Sequence, residues 1–295
     1  MTKIFGDYDQ AGLDAEYDNR AKVPNTLAML AGFAERSADT RKSMAGHLGI
    51  AFGSDAEETL DIFLPTNSSG GPAPIQFFIH GGYWKMMTKE DFSYVACAFT
   101  PKGCATAVVN YGLIPSIDMD ELVRQCRAGL AWVYRNAESF GGDPDRIFIS
   151  GHSAGGHLVA MMMATHWPGF DSQSPALPRD LIKGGCGISG LYDLEPIRLC
   201  FLNEDLKLSK NEADRNSPVQ LCPAGPAPLV LAVGGEEGPE YLRQSEDLAA
   251  AWRHHGIDVD VVVQEGHDHF TIVEQLSVAD SKLSKMILNQ MGCAT

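Results

Sequence analysis

The segment Ile147-Phe148-Ile149-Ser150-Gly151-His152-Ser153-Ala154-Gly155-Gly156-His157 places Ser153 in a Gly-x-Ser-x-Gly pattern. An apolar, β-type run precedes the serine, and residues 156–164 read as a helix. A serine on a sharp strand-to-helix turn presents its hydroxyl for nucleophilic attack. Gly151 and Gly155 remove side chains where backbone must pass closely, and the helix start aims unpaired amides at developing negative charge. A glycine-rich turn opening a helix also suits phosphate, but the lysine and spacing of a phosphate loop are missing.

A serine hydroxyl needs a base. His269, in Glu265-Gly266-His267-Asp268-His269-Phe270, falls just beyond the last expected strand. Residues beyond strand C-termini share the sheet edge at which ligands bind. His267 lies in the same loop, and the helix start with Phe270 beside it favours His269. His152 and His157 are too close in sequence to Ser153 to act as its base and read as supporting groups. His47, His166, His254 and His255 fall in peripheral or surface contexts. The imidazole in turn needs a carboxylate to fix its tautomer. Glu236 and Glu237 both follow the apolar run ending at Val233, and Glu240 is a third candidate; spacing alone does not choose among them. The order serine, acid, histidine, each after an expected strand, is that of one hydrolase scaffold and not of the two common serine protease folds.

A tetrahedral intermediate requires amide donors aimed at its oxygen. Ala154, directly after the nucleophile, supplies one. Phe77-Phe78-Ile79-His80-Gly81-Gly82-Tyr83-Trp84 supplies the other: Gly81 and Gly82 are the candidates, with His80 bracing the loop. Tyr83 and Trp84 are expected to wall a substrate pocket, and Asn110-Tyr111-Gly112 ends another strand near the same cleft. Met161, Met162 and Met163 read as core filling.

Strands that alternate with helices must position these groups. Residues 60–64, 74–79, 105–110, 146–150, 182–188, 228–233 and 259–263 read as strands; 89–100, 119–140, 241–254 and 272–289 read as helices. Most of these strands lack clean polar faces, which implies an α/β fold with a mainly parallel, doubly wound sheet covered on both faces. One domain spanning 1–295 is expected, with a helical arm over 1–45 that either packs on the main body through Val23 and Leu27 or closes over a site. The proline-rich stretch 192–226 is too long for a simple connection and reads equally as a small lid-like insertion or as a surface excursion with no role in binding. Ser68-Ser69-Gly70-Gly71-Pro72 is expected to form a turn.

Composition narrows the function further. Against 38 acidic residues stand 23 Lys and Arg in 295, a formal charge of −15. That balance disfavours nucleic acid and anionic membrane surfaces as partners. Seven cysteines, an odd number without CxxC spacing, read as reduced thiols and give neither a disulfide framework nor a zinc site. No secretory signal is evident at the start, so a cytoplasmic location is expected and the sequon at Asn67 reads as a polar turn.

With these residues assembled, the sequence resembles the α/β-hydrolase superfamily, nearest its arylformamidase (kynurenine formamidase) and carboxylesterase branch. The resemblance rests on His80-Gly81-Gly82-Tyr83-Trp84, Gly151-His152-Ser153-Ala154-Gly155-Gly156, Tyr17-Asp18-Asn19-Arg20, and Gly238-Pro239-Glu240-Tyr241 followed by Arg243-Gln244-Ser245. It implies Glu237 as the acid, usually aspartate in that family, with His269 as base and hole amides near Gly81, Gly82 and Ala154. It also implies hydrolysis of small carboxylic esters or of N-formylkynurenine without metal or organic cofactor. The expectation is therefore a serine esterase working through an acyl-enzyme, with arylformamidase as the alternative. A non-catalytic binding module on the same scaffold is a third reading, and a homodimer stays open by analogy of fold.

Overall fold

A computed structural model describes residues 2–67 and 70–293, so Ser68 and Ser69 of the expected turn and sequon lie outside the described residues. Eight strands form one sheet: β1 (Gly46–Ala51), β2 (Thr59–Phe63), β3 (Ala73–Ile79), β4 (Ala105–Val109), β5 (Gly142–His152), β6 (Ile182–Ile188), β7 (Leu229–Gly234) and β8 (Val259–Gln264). Their spatial order is β1-β2-β4-β3-β5-β6-β7-β8. The pairs β1/β2 and β2/β4 are antiparallel, and every later pair is parallel. This is the mainly parallel, doubly wound sheet of an α/β-hydrolase.

The alternation of the side chains divides the core in two. Ile75, Phe77 and Ile79 of β3 and Ile147 and Ile149 of β5 pack on one face, with Leu122, Leu130, Leu158 and Leu248 from helices. Phe78 and Phe148, at the intervening positions, join Phe33, Phe99, Ile272 and Leu288 on the other. Strands buried on both faces need no polar side, which is why their sequences read as continuous apolar runs. Asp118 starts the long helix Met119–Asn136 by accepting the Glu121 amide at 2.8 Å.

Four local expectations change. Strand β1 gave no periodic signal because it is a mostly exposed edge strand. The helix expected over 89–100 is a set of short turns, interrupted at Phe92, whose backbone leaves helical angles. The closing helix expected over 272–289 is broken at the extended residue Val278 and restarts at Lys282, where Ser281 caps Ser284. In the arm, Val23 packs on the second core, but Leu27 is 75% exposed and does not. Among the described residues, no helix is long and apolar enough to cross a membrane.

Candidate active site

Ser153 sits between β5 and the helix Ala154–Met163, with φ of 57° and ψ of −119°. A side chain rarely adopts a positive φ, so the turn is strained and must be held from outside. The Ser153 amide does so by donating to the Ile188 carbonyl of the neighbouring strand at 2.8 Å. The glycines decide how closely the turn can pack. A Cβ on Gly155 would lie 2.0 Å from the Ile79 carbonyl, and one on Gly151 would lie 2.3 Å from the Gly155 carbonyl. Any larger residue would push the nucleophile helix off the sheet.

The structure brings the three distant groups together. Ser153 Oγ lies 3.0 Å from His269 Nε2, and His269 Nδ1 lies 2.6 Å from Glu237 Oε2. All three side chains are buried. The second oxygen of Glu237 accepts from the Gly234 amide at 2.6 Å and from Ser189 Oγ at 2.5 Å. The geometry thus separates the acids that spacing left open. Glu236 is exposed, while Glu240 accepts from Tyr17 Oη and pairs with Arg243. The His269 loop is held as firmly: Asp268 Oδ1 accepts from the Phe270 and Thr271 amides, and the Phe270 ring meets the His269 ring edge-on at 5.5 Å. His267 serves the loop through its backbone, its carbonyl accepting from the Glu236 amide.

Opposite the imidazole lies the 80–84 loop. A Cβ on Gly81 would fall 3.2 Å from Ser153 Cβ, so this backbone runs directly against the nucleophile. Gly82, with φ of 112°, lines the same cavity as Ser153, and its carbonyl is taken by the Lys85 and Met86 amides. Ala154 is the first residue of its helix, where an amide has no partner within the helix. Among the described residues, no group of three or more His, Cys, Asp or Glu side chains is arranged to hold a metal ion.

A cavity of about 150 Å³ opens on Ser153 and His269. Leu30, Phe33, Met87, Phe92, Phe201, Leu202 and Phe270 give it an apolar lining, to which Arg20 and Lys85 add basic side chains. The arm and the 192–226 insertion therefore both contribute wall. Tyr83 lines the cavity as expected, but Trp84 does not: it is fully buried, and its Nε1–H donates to His157 Nδ1 at 3.1 Å. Positive φ values at Gly82, Tyr83 and Trp84 turn the indole away from the cavity and into the core. Tyr111 likewise serves the loop and not the cleft, donating to the His80 carbonyl and stacking on the His80 ring at 4.2 Å.

The family described as BD-FAE matches residues 60–251, which carry the nucleophile turn and the acid. The chain belongs to this family. Kynurenine formamidase of Salmo salar is 36% identical over 251 residues, spanning 83% of this chain and 82% of that one. The Danio rerio kynurenine formamidase is 33% identical with the same coverage. A solved structure from Silicibacter sp. TM1040, described as a thioesterase candidate, superposes with a TM-score of 0.80 at 31% identity, covering 93% of this chain and 98% of that one. Esterase B of Lactobacillus rhamnosis shares the fold, with a TM-score of 0.68 at 16% identity over 94% and 96% of the two chains. This BD-FAE protein is a hydrolase of the arylformamidase and esterase branch.

Several residues of the BD-FAE site were not visible as functional in the sequence. Asn19 donates to Tyr83 Oη at 2.9 Å and to Tyr241 Oη at 2.6 Å, although it stands 222 positions from Tyr241. Tyr83 Oη donates onward to the Tyr17 carbonyl, and Tyr17 Oη donates to Glu240. The Tyr241 ring in turn packs 4.8 Å from the His269 ring. The two short segments of resemblance, around Tyr17 and around Tyr241, are thus halves of one buried network behind the imidazole. Ser189 had no sequence signal beyond following β6.

Burial sets the protonation of the supporting histidines. Desolvation lowers His80 and His157 to about 4 and holds His152 well below its usual range, with His269 nearby adding to the last. Hydrogen bonding agrees for His157: Nδ1 accepts from Trp84, so the proton is on Nε2 and donates to the Asn216 carbonyl at 2.8 Å. His152 Nε2–H donates to the His269 carbonyl at 2.8 Å, bracing the loop of the base. The unfolded chain protonates its histidines near pH 6.5 and the folded chain only near 4 at His80 and His157, so stability present above pH 6.5 is lost as the pH falls towards 4. Each of the two accounts for about 3 kcal/mol over that window. The thermal midpoint is expected to drop steeply below pH 6.5, and His157→Gln to flatten that slope while lowering the midpoint at neutral pH. An unchanged slope in the variant would show that His157 is not a source of the acid lability.

Proposed function

We propose that this hydrolase cleaves aryl formamides and small carboxylic esters by a serine mechanism, with the formamide as the better substrate. The observation that carries the reading is the continuous chain from Ser153 Oγ through His269 to Glu237, opening on an aromatic-lined cavity. Ser153 attacks the carbonyl carbon while His269 Nε2 accepts the hydroxyl proton. Glu237, charged and held by Gly234 and Ser189, keeps the other imidazole proton on Nδ1 and stabilises the cation. Amides of Ala154 and of Gly81 or Gly82 receive the oxyanion. Collapse breaks the carbonyl–nitrogen or carbonyl–oxygen bond, and His269 returns the proton to the departing amine or alcohol. Water, deprotonated by His269, then releases the formyl or acyl group and regenerates the serine.

Ranking formamide first reverses the order expected from the motifs. It is supported by 33–36% identity to kynurenine formamidases of fish over more than four-fifths of both chains, against 24–29% identity to plant methylesterases over 49–77% of this chain. The test is kcat/KM for N-formylkynurenine beside a series of short-chain aryl esters. A higher value for the formamide is expected; a consistent preference for esters would restore the original order.

A further inference from the structure

Two thiols meet at the end of the sheet opposite the nucleophile. Cys104 Sγ donates to Cys293 Sγ at 3.0 Å, and both are free thiols. Cys104 stands immediately before β4, and Cys293 follows the last helix, Lys282–Gln290. Strands β3, β4 and β5 run parallel, so residues that precede them share one end of the sheet, whereas Ser153 follows β5 at the other. Among the described residues, no other two cysteines have their sulfurs in hydrogen-bond contact. Cys97 meets Thr40 Oγ1, Cys200 the Ile197 carbonyl and Cys222 the His255 ring.

The backbone holds the pair in register. The Cys104 amide donates to the Phe99 carbonyl at 3.2 Å, and the Cys293 amide donates to the Leu288 carbonyl at 2.9 Å. A disulfide places its sulfurs about 2.0 Å apart, so a closure of about 1 Å is all that bonding asks of these side chains. The two thiols differ in what can reach them. Cys104 is fully buried, while Cys293 is partly open to solvent. The hydrogen bond from Cys104 lowers Cys293 from its usual value, and the Arg146 charge adds to it against the opposing effect of burial. An accessible thiol pushed towards the thiolate is the one a peroxide oxidises, and a buried neighbour acts only on what the first has formed.

We propose that Cys104 and Cys293 form a modification site for hydroperoxides, in which Cys293 is oxidised first and Cys104 resolves it to an intramolecular disulfide. The Cys293 thiolate attacks one peroxide oxygen, forming an S–O bond as the O–O bond breaks. The departing oxygen takes up a proton and leaves as an alcohol, or as water from hydrogen peroxide, and Cys293 becomes a sulfenic acid. The Cys104 sulfur then attacks the Cys293 sulfur, the S–O bond breaks, and hydroxide leaves with the Cys104 proton as water. The two thiols together lose two electrons, which reduce the hydroperoxide. The new bond closes a ring from 104 to 293 and ties the last helix to the sheet, where its Leu283, Ile287 and Leu288 already join the second core. A cross-link over so long a ring acts mainly on the unfolded chain, so it raises stability and leaves the site at the other end of the strands as it is.

The test treats fully reduced, full-length protein with an equimolar amount of hydrogen peroxide, alkylates the remaining thiols and maps peptides without reduction. The expected product joins the Cys104 and Cys293 peptides, two hydrogens lighter than their sum. Its thermal midpoint should lie about 5 °C above that of the reduced protein and return with dithiothreitol, while kcat/KM for an aryl ester is unchanged. In Cys104→Ser, dimedone should trap a sulfenic acid on Cys293; in the milder Cys293→Ser, Cys104 should stay unoxidised. Cys104 and Cys293 both recovered alkylated while the exposed Cys222 is oxidised overturns the proposal, as does a cross-link joining either one to another cysteine. Dimedone on Cys104 in the Cys293 variant overturns the order of the two steps, and a midpoint unmoved by a formed cross-link overturns its role as a clamp.

Discussion

Replacing Ser153 by alanine is expected to lower kcat/KM by a factor on the order of 10⁵, for N-formylkynurenine and aryl esters alike. The loss falls on both because both reactions need the same oxygen. Without it, His269 has no hydroxyl proton to accept, and only the oxyanion donors and the cavity remain to assist attack by water. The fold should be untouched. The Ser153 hydroxyl bonds to His269, whereas the contact that holds the turn, from the Ser153 amide to Ile188, belongs to the backbone. Alanine has the same Cβ as serine and bears the same strain at a φ of 57°. Far-ultraviolet circular dichroism and the thermal midpoint should therefore match wild type. Wild-type turnover by the purified variant would remove the serine mechanism altogether.

Glu237→Gln is expected to lower kcat by about 10⁴ with little change in stability, for a reason that lies in hydrogen-bond direction. Oε1 of the glutamate accepts from both the Gly234 amide and Ser189 Oγ. A glutamine can keep those two bonds only by placing its carbonyl there, which turns its NH₂ toward His269 Nδ1. That nitrogen must then accept, the imidazole proton moves to Nε2, and the ring can no longer take a proton from Ser153. Glu237→Asp keeps the charge but falls one methylene short of a 2.6 Å contact, so its loss should be smaller than that of the glutamine variant. Single-turnover kinetics would place both losses on the chemical step. A glutamine variant more active than the aspartate would mean that tautomer control is not the role of this residue.

The parallel sheet was legible because its strands are buried on both faces, and their apolar runs between helical stretches admit few other arrangements. The nucleophile turn was legible because its glycines are forced by contacts as short as 2.0 Å. The acid was not. Glu236 and Glu237 are adjacent, and only the turn that returns Glu237 to the Gly234 amide distinguishes a buried carboxylate from an exposed one. Trp84 misled because an aromatic beside a glycine pair looks like a pocket wall, whereas three successive positive φ values direct its indole inward. The arm was the hardest to read. Its value to the site lies in Asn19 meeting Tyr83 and Tyr241, contacts between segments too distant in sequence for any periodic pattern to join.

The central claim is that the hydroxyl of Ser153 is made reactive by the His269 and Glu237 behind it. The most direct measurement is covalent labelling with an aryl organophosphonate, followed by peptide mass mapping and a parallel assay of activity. One phosphonyl group per chain on Ser153, with activity lost in proportion and no label taken up by His269→Ala, is the expected result. Full activity retained beside an unlabelled Ser153, or label appearing equally fast in the His269 variant, would contradict it.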